Sequence, residues 1–155
     1  MIIMAQVDPI ASVCIHEAGH AVMMRCMGMK VRSVAINRKA IASRRGAQGV
    51  TIPEVKMISQ IAYAQIAVAG AVAETIAFGG CPVRALNRLT DADEVEEMMV
   101  LSKVPVKERA AEKRRIIAMV EKRLRKHMDQ VVAIAEEVGM HNVCTQERIN
   151  EIMKV

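Results

Sequence analysis

The sequence predicts a mainly α-helical protein with one small β-sheet or hairpin between its first and second helices. Apolar residues dominate two long segments, residues 10–27 and 57–78, and short β-branched segments at residues 31–36 and 49–52 lie between them. With 155 residues, the chain is expected to form a single domain over residues 1–155. Because it has one Tyr, one Phe and no Trp, its core must be built from Ala, Val, Ile and 13 Met.

The first helix has a start signal and a stop signal in the sequence. Asp8 is a good N-cap residue, and Pro9 suits the first helical position, where its missing N–H costs nothing. Gly28 can adopt the left-handed conformation that ends a helix. We therefore expect residues 16–20 to lie in the middle of this helix.

Two short strands are expected after the first helix. Val31, Val34 and Ile36 indicate the first strand, and residues 49–52 suit a hairpin partner or an edge strand. The basic residues 38–45 between them are expected to form a flexible connection.

Four further helices are predicted for the remainder of the chain. Their expected bounds are residues 53–78, opened by Pro53, then 90–103, then 105–138, and a last short helix that Thr145 caps. The sequence shows no internal repeat and no clear domain boundary.

His16, Glu17 and His20 form the pattern that carries the most chemical information. Because residues four apart share a helix face, the two imidazoles can direct nitrogens at one metal ion, with Glu17 beside them. A histidine in an apolar setting usually hydrogen-bonds within the core. Two of the four histidines at this spacing around a glutamate instead favour a metal site. A catalytic zinc site has three protein ligands, so a third ligand is expected downstream.

Three acidic residues compete to be the third ligand. Asp91 lies on the more apolar, inward stripe of its predicted helix, whereas Asp93 shares a face with Glu97 and points more toward solvent. Asp93 also has capping-box spacing from Thr90. Asp91 is therefore favoured and Asp93 is the alternative. Glu74 is better suited to orient a ligating histidine, or to lie at the surface near a helix end.

These segments resemble the zinc peptidase domain of the FtsH-type AAA+ proteases. The similarity begins at residues 16–22, His-Glu-Ala-Gly-His-Ala-Val, and continues through a strand pair like residues 31–52. It includes residues 70–74, Gly-Ala-Val-Ala-Glu, which look like the G-x-x-A-E segment of that family. The resemblance extends nearly end to end. It implies a third ligand at the start of the next helix, at Asp91 or Asp93.

The sequence also departs from the family pattern. Ala69, Ala71 and Thr75 stand where the family typically has Gly, Arg and a second Glu, and residues 87–89 replace the usual Gly-Ala-Ser. The sequence contains no Walker A pattern and no run of about 18 or more apolar residues. We therefore expect a stand-alone peptidase domain, without an ATPase domain or a membrane span.

The motif and the resemblance together predict a zinc metalloendopeptidase. Zn²⁺ held by His16, His20 and Asp91 would lower the pKa of a bound water to about 7 and polarise the scissile carbonyl. Glu17 would act as the general base and pass the proton to the leaving amine. The expected substrate is a polypeptide that is already unfolded or that a partner delivers, and the sequence assigns no oligomeric state. The alternative is a catalytically degenerate relative that binds metal and acts in regulation or partner binding.

Composition predicts the location and excludes one class of partner. The four cysteines lack C-x-x-C spacing, which favours reduced thiols and a cytoplasmic location. The net charge is +5, but the basic residues at 109–115 and 122–126 alternate with Glu on a helix, which indicates a solvated face. With two aromatic residues, the chain has no stacking platform, and no nucleic-acid partner is expected.

Overall fold

The computed structural model describes residues 7–54, 58–80 and 91–154, and at residues 91 and 92 it describes the backbone alone. This part of the chain contains seven α-helices and three strands, which confirms the mainly helical class with one small sheet. In chain order, the elements are α1 (Pro9–Cys26), β1 (Val31–Ile36), α2 (Arg38–Ser43), β2 (Gly49–Pro53), α3 (Gln60–Phe78), α4 (Asp91–Leu101), a 3-10 helix (Val106–Glu108), α5 (Arg109–Arg125), α6 (Met128–His141), β3 (Val143–Thr145) and α7 (Gln146–Met153).

Helices α1 and α3 pack against each other at the centre of the fold and run antiparallel. Gly19 of α1 meets Ala69 and Ala73, which lie one turn apart on α3. A Cβ atom at Gly19 would lie 2.6 Å from the Cβ of Ala73 and 2.8 Å from the carbonyl oxygen of Ala69. These small residues therefore set the short distance between the two helices. Helices α4 and α5 pack on α3, and α6 packs on α1.

The core has the aliphatic composition that the sequence predicts. Its buried side chains are mainly Ala, Val, Ile and Met, and Met23 and Met99 are among the largest that are fully buried. In the described part of the chain, both aromatic residues are partly exposed, Tyr63 at 41% and Phe78 at 38%. The core is therefore filled by flexible and branched aliphatic side chains.

Four of the predicted helix signals are confirmed. The side chain of Asp8 accepts a hydrogen bond from the backbone N–H of Ile10 at 3.1 Å, and Pro9 is the first residue of α1. Gly28 follows this helix with a φ of 77°. Thr145 accepts a hydrogen bond from the N–H of Arg148 at 3.3 Å and caps α7.

The three strands form an antiparallel sheet with β1 in the middle and β2 and β3 at its edges. Val34 of β1 pairs with Thr51 of β2 on one side and with Cys144 of β3 on the other. β3 was not predicted, because three residues after a helix are too few to show a strand pattern. The sheet places β2 beside α1.

The connection between β1 and β2 is more ordered than the sequence predicts. Residues 38–43 form α2, which Asn37 caps by accepting a hydrogen bond from the N–H of Ala40 at 3.1 Å. Ala40 and Ile41 are buried against the rest of the protein. The expectation of a flexible segment was wrong because two apolar side chains anchor this basic turn.

Two predicted helix bounds were also wrong. Pro53 ends β2, where it pairs with Val31, and the helix begins instead at Gln60 with Ser59 as its N-cap. The long helix predicted for residues 105–138 is a 3-10 turn followed by α5 and α6, with a break at residues 126–127. A single helix was predicted because the sequence has no Gly or Pro where α5 ends and α6 begins.

Helix α3 is long and apolar enough, by length and composition alone, to cross a membrane. However, 56% of its most apolar window is buried inside the protein, and core helices of soluble proteins meet the same criterion. Its burial against α1, α4 and α5 accounts for its apolar character.

Three cysteines in the described part of the chain, Cys14, Cys26 and Cys144, are free thiols. Burial raises the pKa of each thiol. The pKa of Cys144 rises to about 11, because burial is reinforced by the negative charge of Glu137. Cys144 therefore stays protonated near neutral pH. Cys81 lies outside the described residues.

Candidate metal centre

His16 and His20 lie one turn apart on α1 and direct their rings at the same point. Their Nε2 atoms are 3.0 Å apart, and the two ring centres are 4.7 Å apart. The opposite nitrogen of each ring is held by α3. His16 Nδ1 lies 2.6 Å from Glu74 Oε1, and His20 Nδ1 lies 2.7 Å from the carbonyl oxygen of Ile66.

These hydrogen bonds place a hydrogen on Nδ1 of both rings. A carbonyl or carboxylate oxygen only accepts, so His16 and His20 each donate from Nδ1. The two Nε2 atoms face each other at 3.0 Å, a distance that is compatible with a shared proton or a shared metal ion. Two nitrogens bound at about 2.0–2.1 Å to one tetrahedral zinc lie about 3.3 Å apart. The spacing of the two Nε2 atoms is therefore close to that of two nitrogens bound to one zinc ion.

Gly70 and Glu74 explain how α3 supports His16. They lie four residues apart on one helix face, where Gly70 leaves room for the imidazole and Glu74 holds its Nδ1. A Cβ atom at Gly70 would lie 2.5 Å from His16 Nε2. Ser12 donates a hydrogen bond at 2.8 Å to the second oxygen of Glu74. The structure confirms that Glu74 contacts a histidine of the motif.

Glu17 is oriented by the edge strand β2. The Thr51 hydroxyl lies 2.7 Å from Glu17 Oε2 and 2.9 Å from the Glu17 carbonyl oxygen, and its one hydrogen serves one of these acceptors at a time. Gly49 lies against the same side chain, since a Cβ atom there would approach Glu17 Cγ to 2.7 Å. Strand β2 therefore fixes the position of this carboxylate.

Two cavities meet at the motif, and Glu17, His20 and Gly49 line both of them. One, of about 570 Å³, also has Ser12, His16, Gly46, Ala47, Gln48 and Glu74 in its wall. The other, of about 480 Å³, has a more apolar wall that includes Met24, Met29, Val50, Ile58, Tyr63 and Ile66. The motif therefore lies where two open spaces join, and ligand pockets typically have volumes of about 300–1,000 Å³.

The two aspartates predicted as the third ligand, Asp91 and Asp93, lie at the start of α4. Among the described side chains, no three His, Cys, Asp or Glu groups could hold a metal ion together. Asp91 is the first residue of α4, but its side chain lies outside the described residues, as does Thr90. Asp93 is exposed. Glu94, which also belongs to α4, lines the 480 Å³ cavity with His20.

Sequence reasoning missed several groups that shape this centre. Thr51, Gly49 and the Ile66 carbonyl come from β2 and α3, far from the motif along the chain, and their roles depend on tertiary packing. Glu94 was also missed. Its spacing of three residues from Asp91 was a usable signal, because residues at this spacing share a helix face.

Comparison with known proteins identifies no family for this chain. No protein-family model matches the sequence, and no curated protein matches it significantly.

Proposed function

We propose that this protein is a zinc metalloendopeptidase that resembles the peptidase domain of FtsH-type proteases. The observation that carries the proposal is the convergence of the two Nε2 atoms of His16 and His20, 3.0 Å apart, beside the oriented carboxylate of Glu17. His16, His20 and Asp91 would hold the metal. A His-His-carboxylate set with an open position is typical of catalytic zinc, whereas structural zinc sites are closed and rich in sulfur.

Each residue has a defined task in peptide hydrolysis. When bound, zinc supplies a Lewis acid that polarises the scissile carbonyl and promotes loss of a proton from water. Glu17 accepts that proton and transfers it to the leaving amine. Thr51 holds Glu17 Oε2, which leaves Oε1 to exchange the proton. Glu74 and the Ile66 carbonyl accept hydrogen bonds from the histidine Nδ1 atoms and so orient both rings with Nε2 toward the same point.

The surroundings of Glu17 suit an extended peptide. β2 is an edge strand of the described sheet, and two of its residues, Gly49 and Thr51, lie beside Glu17 of the motif. A peptide that pairs with this edge would place successive side chains on opposite sides, as in β-augmentation. The apolar wall of the 480 Å³ cavity would accept a hydrophobic side chain. We therefore propose unfolded polypeptides as the substrate class.

Metal dependence is the direct test of this function. The purified protein is expected to contain about one zinc ion per chain and to hydrolyse casein, because the site has one set of ligands. Chelation should abolish hydrolysis, and stoichiometric Zn²⁺ should restore it. The measurements are metal content by atomic emission and the release of peptides from labelled casein.

Two outcomes would count against the proposal. A protein that binds no zinc would contradict the metal centre. A zinc-loaded protein that cleaves no member of a broad peptide panel would contradict the peptidase and would favour the metal-binding regulatory alternative.

Glu74→Gln is expected to weaken zinc binding by about 10–100-fold, the range found when such supporting partners are removed. The amide keeps nearly the same shape but loses the negative charge that faces His16 Nδ1. Zinc affinity is measured by competition with a chromophoric chelator. Glu136→Gln, at an exposed position on α6, serves as the matched control. Equal zinc affinity in both variants would contradict this role of Glu74.

Thr51→Val is expected to lower kcat by about fivefold with zinc content unchanged, because one hydrogen bond of about 1 kcal/mol orients the base. Val retains the shape of Thr and removes only the hydroxyl that contacts Glu17. The readout is kcat and KM on a peptide substrate, and KM is expected to change little. Thr51→Ser keeps a hydroxyl and should recover most of the activity. A Thr51→Val variant with wild-type kcat would exclude a positioning role.

A further inference from the structure

A separate cavity of about 420 Å³ lies where α1, α3 and the junction of α5 with α6 meet. Three cationic residues, Lys122, Arg123 and Lys126, form one side of it, together with His127. None of its lining residues lines the two cavities at the motif. It is therefore a second candidate site with its own chemistry.

The positive charge of this cavity is not neutralised by the described ion pairs. The carboxylates of α5 pair elsewhere, Glu112 with Arg115 and Glu121 with Arg125. Within the described residues, no ion pair includes any of the three cations of the cavity. His127 is also the N-cap residue of α6, so the positive end of that helix dipole lies at the rim. This arrangement attracts an anion.

Gln65 adds a polar group to the wall of this cavity. This α3 residue lines the cavity, and the residue as a whole is 9% exposed. Its side chain makes no hydrogen bond to any other described residue. Its amide atoms are not among the buried unpaired polar atoms of the described residues, so the amide retains contact with solvent. Its amide offers both a donor and an acceptor to a molecule that enters the cavity.

The remaining wall is apolar and adaptable. Met23 is almost fully buried at 1% exposure, and Met119, which shares a helix face with Lys122 and Arg123, also lines the cavity. Thioethers make favourable contacts with flat ring systems. The cavity therefore combines a cationic side, an amide group and a soft apolar surface within one space of ligand size.

We propose that this cavity binds a small phosphate monoester, of the class of the nucleoside monophosphates. The phosphate would lie among Lys122, Arg123 and Lys126, which provide charge-assisted donors. Gln65 would pair with the hydrogen-bonding edge of the base, for which a side-chain amide is well matched. The base would rest against Met23 and Met119.

Isothermal titration of the full chain with AMP, inorganic phosphate and adenosine tests this proposal. AMP should bind most tightly, because only AMP uses both halves of the cavity. The variant Lys122→Ala/Lys126→Ala should bind AMP at least about tenfold more weakly, as expected for the loss of charge-assisted hydrogen bonds. Lys107→Ala/Arg114→Ala removes the same charge outside the cavity and should leave AMP affinity within about twofold of the wild type.

Gln65→Leu tests the amide with little risk to the fold, because the Gln65 side chain makes no hydrogen bond to any other described residue. This variant should keep the wild-type affinity for phosphate and lose the preference for AMP over phosphate. Absence of AMP binding to the wild type would overturn the proposal. Equal AMP affinity in the wild type and in Lys122→Ala/Lys126→Ala would also overturn it, including the case in which AMP binds only at the metal centre.

Discussion

Replacing Glu17 by Gln is expected to lower kcat for casein hydrolysis by about 10²–10⁴-fold, the usual contribution of a general base, while zinc stays bound. The amide occupies the same space and can still accept the hydrogen bond from Thr51, so the local structure is retained. What is lost is the ability to take a proton from water. Zinc content and kcat, measured on the same preparation, separate these two effects.

The matched control for this experiment is Glu97→Gln, which removes the same charge at an exposed position of α4. It should leave kcat and zinc content unchanged. Wild-type hydrolysis by the Glu17→Gln variant would show that Glu17 is not the base. Loss of zinc together with activity would show instead that Glu17 holds the metal centre together.

Gly70→Ala is expected to weaken zinc binding by about 10–100-fold, comparable to the loss of a supporting partner, and to lower activity accordingly. The added Cβ would lie 2.5 Å from both Cε1 and Nε2 of His16, so the ring must leave its present position. Alanine by itself favours a helix over glycine by about 1 kcal/mol. A loss of zinc affinity would therefore be steric in origin. Zinc affinity and thermal unfolding are measured in parallel.

Gly139→Ala provides the comparison, because this glycine also lies within a helix but has space around it. A Cβ there would lie 3.9 Å from Cys14 Sγ, an ordinary contact. This variant should bind zinc normally and be at least as stable as the wild type. If Gly70→Ala bound zinc as tightly as Gly139→Ala, the close fit of α3 around His16 would not be needed for the metal.

The sequence predicted the helix ends that are marked by local capping residues. Asp8 and Pro9 begin α1, and Thr145 begins α7, because capping depends on groups within a few residues. Pro53 was misassigned because proline fits both the first turn of a helix and the end of an edge strand. Its pairing with Val31 across the sheet decides between them, and that pairing is not visible locally.

In the candidate site, too, some residues could be predicted from local sequence and others depend on tertiary packing. His16, Glu17 and His20 follow from helical periodicity alone, and the contact of Glu74 with a histidine was also predicted. The role of Thr51 could not be predicted, because it depends on the register between β1 and β2 and on the packing of β2 against α1. Long-range packing therefore determines the orientation of groups that local sequence only identifies.

The hydrogen-bond acceptors of the two histidines differ in whether a mutation can remove them. Glu74, which holds His16, can be removed by changing a single side chain. The Ile66 carbonyl, which holds His20, belongs to the main chain and would be present with any residue at position 66. A substitution of the side chain at position 66 therefore leaves the hydrogen-bond acceptor of His20 in place. The hydrogen bond depends instead on the distance between α1 and α3. Gly19 and Ala73 set that distance, so a larger side chain at either position would disturb the hydrogen bond of His20 although neither residue takes part in it.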